Sequence, residues 1–521
     1  MRIRSKAIAL CMVMALVLAI GVAGCGKAPE KKAEPAPTPA PAPSPAPKPV
    51  KETIVIALQG EPSTLDPQFA DDGNMRAVTE NVFEPLLTID GKTLKPILAL
   101  AESYKTVNPT TWEFKIRKGI KWQNGDALTV DDVVFSVLRQ IDPKFKSQIA
   151  SNFRTIKDAR KVDESTVNII TDGPDPALPV RLTGLMIVNK KHVEAVGDTV
   201  GSKPIGTGPY KVIEWKKGVS ISVEAFDGYW GNKPSVKKGL FRFIEEGSTR
   251  LSALKANEID VAVNMLPEYI KDVPKVASVE GLEFPLVRFL QFKGVMKNPL
   301  IRQAANYAID KEAIAKSLYG GYASPALGQM FKPGYVGFNS ELKPYPYDPN
   351  KAKELLKQAG YKGEKIQMVA QRGRWLKDGE LAEAVSMLLR DAGMNVELKY
   401  YDWNGWLKVL FDRNLAPDMI VSFHSNDLFD ADRTFSALVH SKGTMSSYLS
   451  ADLDKKIDAA RTEMDSAKRQ KMYEEVGKVI YDDPAFIFLV NIKDIYGLSK
   501  SLDWQPRQDG KKLLSEMRIV Q

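Results

Sequence analysis

The sequence predicts an α/β protein, and five segments between residues 366 and 423 carry that prediction. Ile366 to Ala370, Asn395 to Tyr400 and Asp418 to Phe423 read as strands, and Glu380 to Asp391 and Trp403 to Phe411 read as helices between them. Strands separated by single helices of this length imply βαβ units and a parallel sheet. The 380–391 helix places Leu381, Val385, Leu388 and Leu389 on one face and ends at Gly393. In the following strand, Val396, Leu398 and Tyr400 alternate with Asn395, Glu397 and Lys399. Open parallel sheets bind ligands beyond the carboxyl ends of their strands. Arg372, Trp403 and Asp427 each fall just past one of those ends.

The remainder of the chain fits around that segment. With 521 residues, 44% hydrophobic and 26% charged, it has a soluble globular composition and length for two or more domains. Of the net charge of +9, eight Lys or Arg against three Glu within residues 1–52 supply more than half. The rest is only mildly basic and shows no basic stripe interleaved with aromatics, which argues against a nucleic-acid partner.

Arg2, Arg4 and Lys6 precede an apolar run from Ala7 to Val22, the pattern of an export signal too short for a membrane span. Val22-Ala23-Gly24-Cys25 resembles a bacterial lipobox, which implies acylation of Cys25 and cleavage just before it; the plainer alternative is a secretory signal with a chance cysteine. Cys11 would leave with the signal, so no disulfide or cysteine metal site is expected. Residues 27–51 are dominated by Pro and Ala and read as an extended spacer. A strand follows at once, Thr53 to Leu58, ended by Gly60-Glu61-Pro62. Strand and helix signals then mix up to about residue 290, with β-type alternation in Ser220 to Glu224.

The motifs of catalysis are missing. There is no GxSxG elbow, Walker loop or HExxH. The acidic pairs Asp131-Asp132 and Asp482-Asp483 read as caps or solvated residues. His192, His424 and His440 have no ligand-like spacing, so neither a metal nor a cofactor is expected.

An ordered series of segments carries a family resemblance. Thr64-Leu65-Asp66-Pro67 and Asn81-Val82-Phe83-Glu84-Pro85-Leu86 come first, then the run from Leu100 to Arg139. Gly206-Thr207-Gly208-Pro209-Tyr210, Tyr229-Trp230-Gly231, Ala253-Leu254-Lys255, Ile259-Asp260, Ile301-Arg302-Gln303-Ala304, Ala308-Ile309-Asp310, Tyr347-Asp348-Pro349 and Ala359-Gly360 follow. Together they resemble family 5 of the extracytoplasmic solute-binding proteins, which includes the dipeptide-, oligopeptide- and nickel-binding proteins of ABC importers. Most of these positions serve turns and packing and so identify the fold rather than the ligand.

The resemblance implies a large, three-subdomain, periplasmic-binding-protein-like α/β fold whose two lobes close by a hinge on a ligand cleft. It places a signal peptide at 1–24 and the lipidated cysteine with its tether at 25–52. The core of lobe I would comprise 53–91, 206–292 and 490–521, with a subdomain inserted at 92–205, and lobe II would span 293–489. It implies a monomeric, non-enzymatic binder of short peptides, anchored outside the cytoplasm by lipid and serving a membrane ABC permease. Oligosaccharides or other small polar solutes are the rival ligands on this scaffold, and a secreted hydrolase is a distant alternative.

A zwitterionic peptide needs an anion for its ammonium and a cation for its carboxylate. By resemblance, Asp427, in His424-Ser425-Asn426-Asp427-Leu428-Phe429-Asp430, would pair with the ammonium; alternatively Asp427 or Asp430 merely caps a turn or helix. Arg372 would clamp the carboxylate, with Arg374 competing for the role and an exposed loop arginine as the alternative. Trp403 would line the pocket, whereas Trp375 and Trp406 read as packing residues. His424 stands where peptide-binding relatives usually carry tryptophan, implying a smaller and more polar pocket.

Overall fold

A computed structural model of the chain describes residues 52–70, 72–446 and 448–520. The signal, Cys25 and spacer expectations lie outside the described residues. Three sheets organise the rest. The first holds eight strands, with Thr53–Leu58 lying parallel to both Lys238–Phe243 and Val261–Ala262 at its centre. Its β-branched, apolar sequence buries Ile54 and Ile56 completely, against Phe241, Tyr210 and Trp504. An antiparallel four-stranded sheet, Ala101–Asn108, Thr111–Ile116, Thr166–Thr171 and Ile156–Lys161, forms a separate layer. The Val130–Ile141 helix covers it, and Trp122, Phe114, Val133 and Val137 fill the space between. Thr129 and Asp132 close a reciprocal capping box at that helix's start, the role read for the Asp131-Asp132 pair.

The second large sheet contains the predicted βαβ units. Ile366–Ala370 runs parallel to Val396–Tyr400 on one side and to Met419–Ser425 on the other. Helices Asp378–Asp391 and Trp403–Phe411 make the crossovers. Leu381, Val385 and Leu389 are buried in the core, as the periodicity requires. Glu283–Phe289 adds antiparallel to Met419–Ser425, and Phe486–Phe488 pairs with its other edge.

The chain passes between the first and second sheets twice. It leaves the first after Lys275–Glu280, crosses at Gly281-Leu282, and enters the second at Glu283. It returns from Phe486–Phe488 through Leu489 into Val490–Leu498. Gly281 N donates to Ile492 O at 2.9 Å, so the crossing strands lie side by side. Two sheets joined by two such short spans give the two-lobed fold.

Several of the resembling segments meet in one knot. Glu84 accepts from Thr207 Oγ1 at 2.8 Å, Tyr229 OH at 3.0 Å and Trp230 Nε1 at 2.9 Å. A Cβ on Gly206 would lie 1.8 Å from Val82 O, so the turn can approach this helix end only as glycine. The motif positions therefore do fasten the fold.

The cleft between the lobes

Asp427 follows the strand Met419–Ser425, and its loop is fixed by neighbours rather than by its own side chain. Asn426 Nδ2 donates to Asp430 O at 2.9 Å and to Thr434 Oγ1 at 3.0 Å. Asp430 accepts from Asp432 N at 2.9 Å, capping the Ala431–Leu438 helix, and takes two hydrogen bonds from Arg469 at 2.6 and 2.7 Å. Phe429 takes a left-handed backbone with φ 52°. Of the two aspartates considered for capping, Asp430 is the cap. Asp427 is left to face a cleft of about 820 Å³, part of it open to solvent, between its loop and the helix Gly73–Val82. Its Oδ1 lies 2.7 Å from Arg433 Nη1 but accepts no aligned hydrogen bond.

The facing wall is charged as well as apolar. Met75, Arg76, Thr79 and Glu80 line it from the Gly73–Val82 helix, with Phe153, Met186 and Lys511 beside them. Burial raises the Glu80 carboxyl despite the opposing charges of Lys511 and Arg76. Burial likewise raises Asp494 and lowers Lys512, although each counteracts the shift in the other. Neither Arg76, Glu80 nor Lys511 stands out in the sequence, because single charges on a helix or in a tail carry no local signature.

At the cleft wall, an ion-pair chain joins the lobes. Arg181 contacts Asp175 at 3.1 Å and reaches Asp432 at 2.6 Å, and Arg461 reaches the same carboxylate at 2.9 Å. Burial alone would raise the Asp432 carboxyl, but Arg181 and Arg461 hold it down at about 2. Beside it, Arg433 Nη1 donates to Asn152 Oδ1 at 2.9 Å. Lys377 meets Glu268 at 3.1 Å in a further contact between the lobes.

The other expected residues sit apart from Asp427, and none of them lines the 820 Å³ cleft. Asp378 accepts from the backbone N–H groups of Gly373, Arg374 and Trp375 at 2.8, 2.8 and 3.0 Å, which fixes that loop. Arg372 turns outward, bonding Glu383 at 2.5 Å and covering the Tyr400 ring at 4.3 Å. Arg374 instead lies 5.2 Å over the ring of Trp403. It also acts on Glu283, whose carboxyl burial and Asp494 push up and Arg374 and Arg76 pull down. Trp403, 40% exposed, stacks on buried Trp406 at 5.5 Å, and Trp375 stacks on Phe423 at 4.8 Å. His424 is buried behind the Asp427 loop, 3.1 Å from Thr434 Oγ1 and edge-on to Phe284 at 5.5 Å. Burial, with Arg433 and Arg288 nearby, pushes its imidazole down to about 3, so it is neutral at physiological pH.

A cleft between two lobes joined by two short chain crossings, lined by charged and apolar side chains, is the architecture of a hinged ligand-binding protein. Comparison with known proteins agrees. Residues 95–446 match the model of the bacterial extracellular solute-binding proteins, family 5 Middle, and the chain belongs to that family. It is 29% identical over 478 residues to the dipeptide-binding protein of Escherichia coli, covering 84% of this chain and 89% of that one. A glutathione-binding protein of Pectobacterium atrosepticum is 26% identical, with 86% and 90% covered. Among solved structures, the ABC transporter substrate-binding protein CtaP of Listeria monocytogenes superposes with a TM-score of 0.81 at 25% identity, covering 90% of this chain and 99% of that one. The oligopeptide-binding protein AppA of Bacillus subtilis, in complex with a nonapeptide, shares the fold with a TM-score of 0.73 at 22% identity, covering 90% and 99%.

Proposed function

We propose that the chain captures short peptides in the interlobe cleft and delivers them to the permease of an ABC importer. On this reading Cys25 carries the lipid and the Pro/Ala-rich spacer tethers the body outside the cytoplasm. The lobes hinge at Gly281-Leu282 and Leu489, which separate lobe II from the rest. Asp427 binds the peptide ammonium, Arg374 or Arg372 the carboxylate, and Trp403 adds an apolar wall. His424 shapes the pocket from behind.

The observation that carries the reading is Asp427 itself. Its carboxylate lines the cleft, and its Oδ1 accepts no aligned hydrogen bond from within the fold. The relatives named for dipeptide and glutathione binding support a peptide over other solutes. Native mass spectrometry of the protein as isolated tests this, with a co-purified peptide expected. Stacked Trp403 and Trp406 favour a second reading, an oligosaccharide lying against indole faces. Calorimetry with tri-alanine against maltotriose separates the two, and heat with maltotriose alone would discard the peptide.

A further inference from the structure

Resting on that reading of Asp427, we infer that Arg433 is a built-in competitor for the ligand's ammonium, and that Asn152 is the acceptor that retains it when the ammonium binds. Arg433 Nη1 stands 2.7 Å from Asp427 Oδ1 and 2.9 Å from Asn152 Oδ1, so one group touches the anchor and the opposite lobe together. The two contacts differ in kind. The one to Asn152 is an aligned hydrogen bond, whereas Asp427 Oδ1 is close in charge but accepts no aligned bond. Asp427 Oδ1 is itself buried beneath that guanidinium, so an ammonium reaches it only by displacing Arg433, and its three donors then supply the aligned bond that the guanidinium does not.

The position of Arg433 is set by its neighbours. Asp432, the preceding residue, is locked to Arg181 and Arg461, and Asp430 caps the same helix, so this turn cannot swing away. The charges around the pair sharpen the competition. Asp427 is the one carboxylate in contact with Arg433 among the described residues. When a cation takes Asp427, the guanidinium keeps the Asn152 carbonyl and the solvent that reaches it, since its side chain is 21% exposed. Asp427 is therefore half of an exchangeable pair rather than a bare negative charge. The site thereby discriminates: a ligand without an ammonium gains nothing from displacing Arg433, and an ammonium must outbid a guanidinium already in place.

Calorimetry of the full mature chain with tri-alanine and N-acetyl-tri-alanine tests the exchange. Arg433→Gln removes the competitor and is expected to tighten tri-alanine binding by about tenfold, leaving the acetylated peptide unchanged. Asn152→Ala removes the acceptor and is expected to weaken tri-alanine binding, and the double variant should behave like Arg433→Gln. A merely structural Arg433 would make all three variants weaker, and that result, or equal shifts for both peptides, overturns the inference. Asp427→Asn distinguishes the underlying reading. If it leaves tri-alanine affinity intact, the anchor reading falls and the competitor with it; if it abolishes binding while Arg433→Gln weakens or leaves affinity, only the competitor falls. Failure of both the parent protein and Arg433→Gln to bind tri-alanine overturns both.

Discussion

The two charged segments proposed to hold the ligand's ends are built on opposite plans. At the carboxylate end, Asn426, Asp430 and Arg469 lock a turn, and the short Asp427 side chain inherits that rigidity. At the guanidinium end, Asp378 locks the backbone of residues 373–375 just as firmly. The arginines nevertheless diverge, Arg372 toward Glu383 and Arg374 toward Trp403. A fixed backbone determines where a two-bond side chain points and leaves a long one to its partners. The comparison teaches that a locked backbone fixes where an aspartate points better than where an arginine points.

Breaking the carboxylate end should have the largest effect. Asp432→Ala leaves the buried Arg181 with Asp175 as its one contacting carboxylate among the described residues and should lower unfolding stability by about 2 to 3 kcal/mol in denaturant melts; a loss below about 1 kcal/mol would mean that the turn is not braced by this ion pair. Asp427→Asn should weaken tri-alanine binding about a hundredfold by calorimetry while the melting temperature holds, because the charge is lost without the shape. A change under about threefold would place the anchor elsewhere.

His424 supplies a pH test of the same end. Its imidazole is held at about 3 in the fold against an ordinary value near 6.5, so the unfolded chain binds the extra proton first. Stability from this group is fully present above pH 6.5 and falls as the pH drops toward 3, by at most about 1.4 kcal/mol per pH unit. His424→Gln should lose less stability than the parent protein between pH 7 and pH 4.5 in urea midpoints. Equal losses would show that the histidine titrates normally in the fold.

The smallest effects discriminate within the guanidinium end. Arg374→Ala should weaken tri-alanine binding by about tenfold, and Arg372→Ala, already paired with Glu383 in solvent, by less than about twofold. The reverse order in calorimetry would return the carboxylate clamp to Arg372.

Legibility followed range. The βαβ segment was readable because periods of two and 3.6 residues are local properties, and observed strands and helices lie within two residues of their predicted starts and ends. The Glu84 knot was visible only as separate motifs, since nothing local says that Thr207, Tyr229 and Trp230 share one carboxylate. The bridges of Arg181 to Asp432 and Arg433 to Asn152 span 251 and 281 positions and left no trace in the sequence. The place of His424 was equally hidden. Its strand is buried along most of its length, so alternation could not say whether the ring faces the ligand side or the core.

The strand Val490–Leu498 has a consequence for the order in which the molecule can be made. It pairs with Val261–Ala262, Lys275–Glu280 and Ala323–Pro325, filling the gap between strands that precede it by more than 150 positions. Until residues 490–498 emerge from the ribosome, the first sheet has an open slot and cannot close cooperatively. The first sheet is thus completed only after the whole of the second sheet has been synthesised.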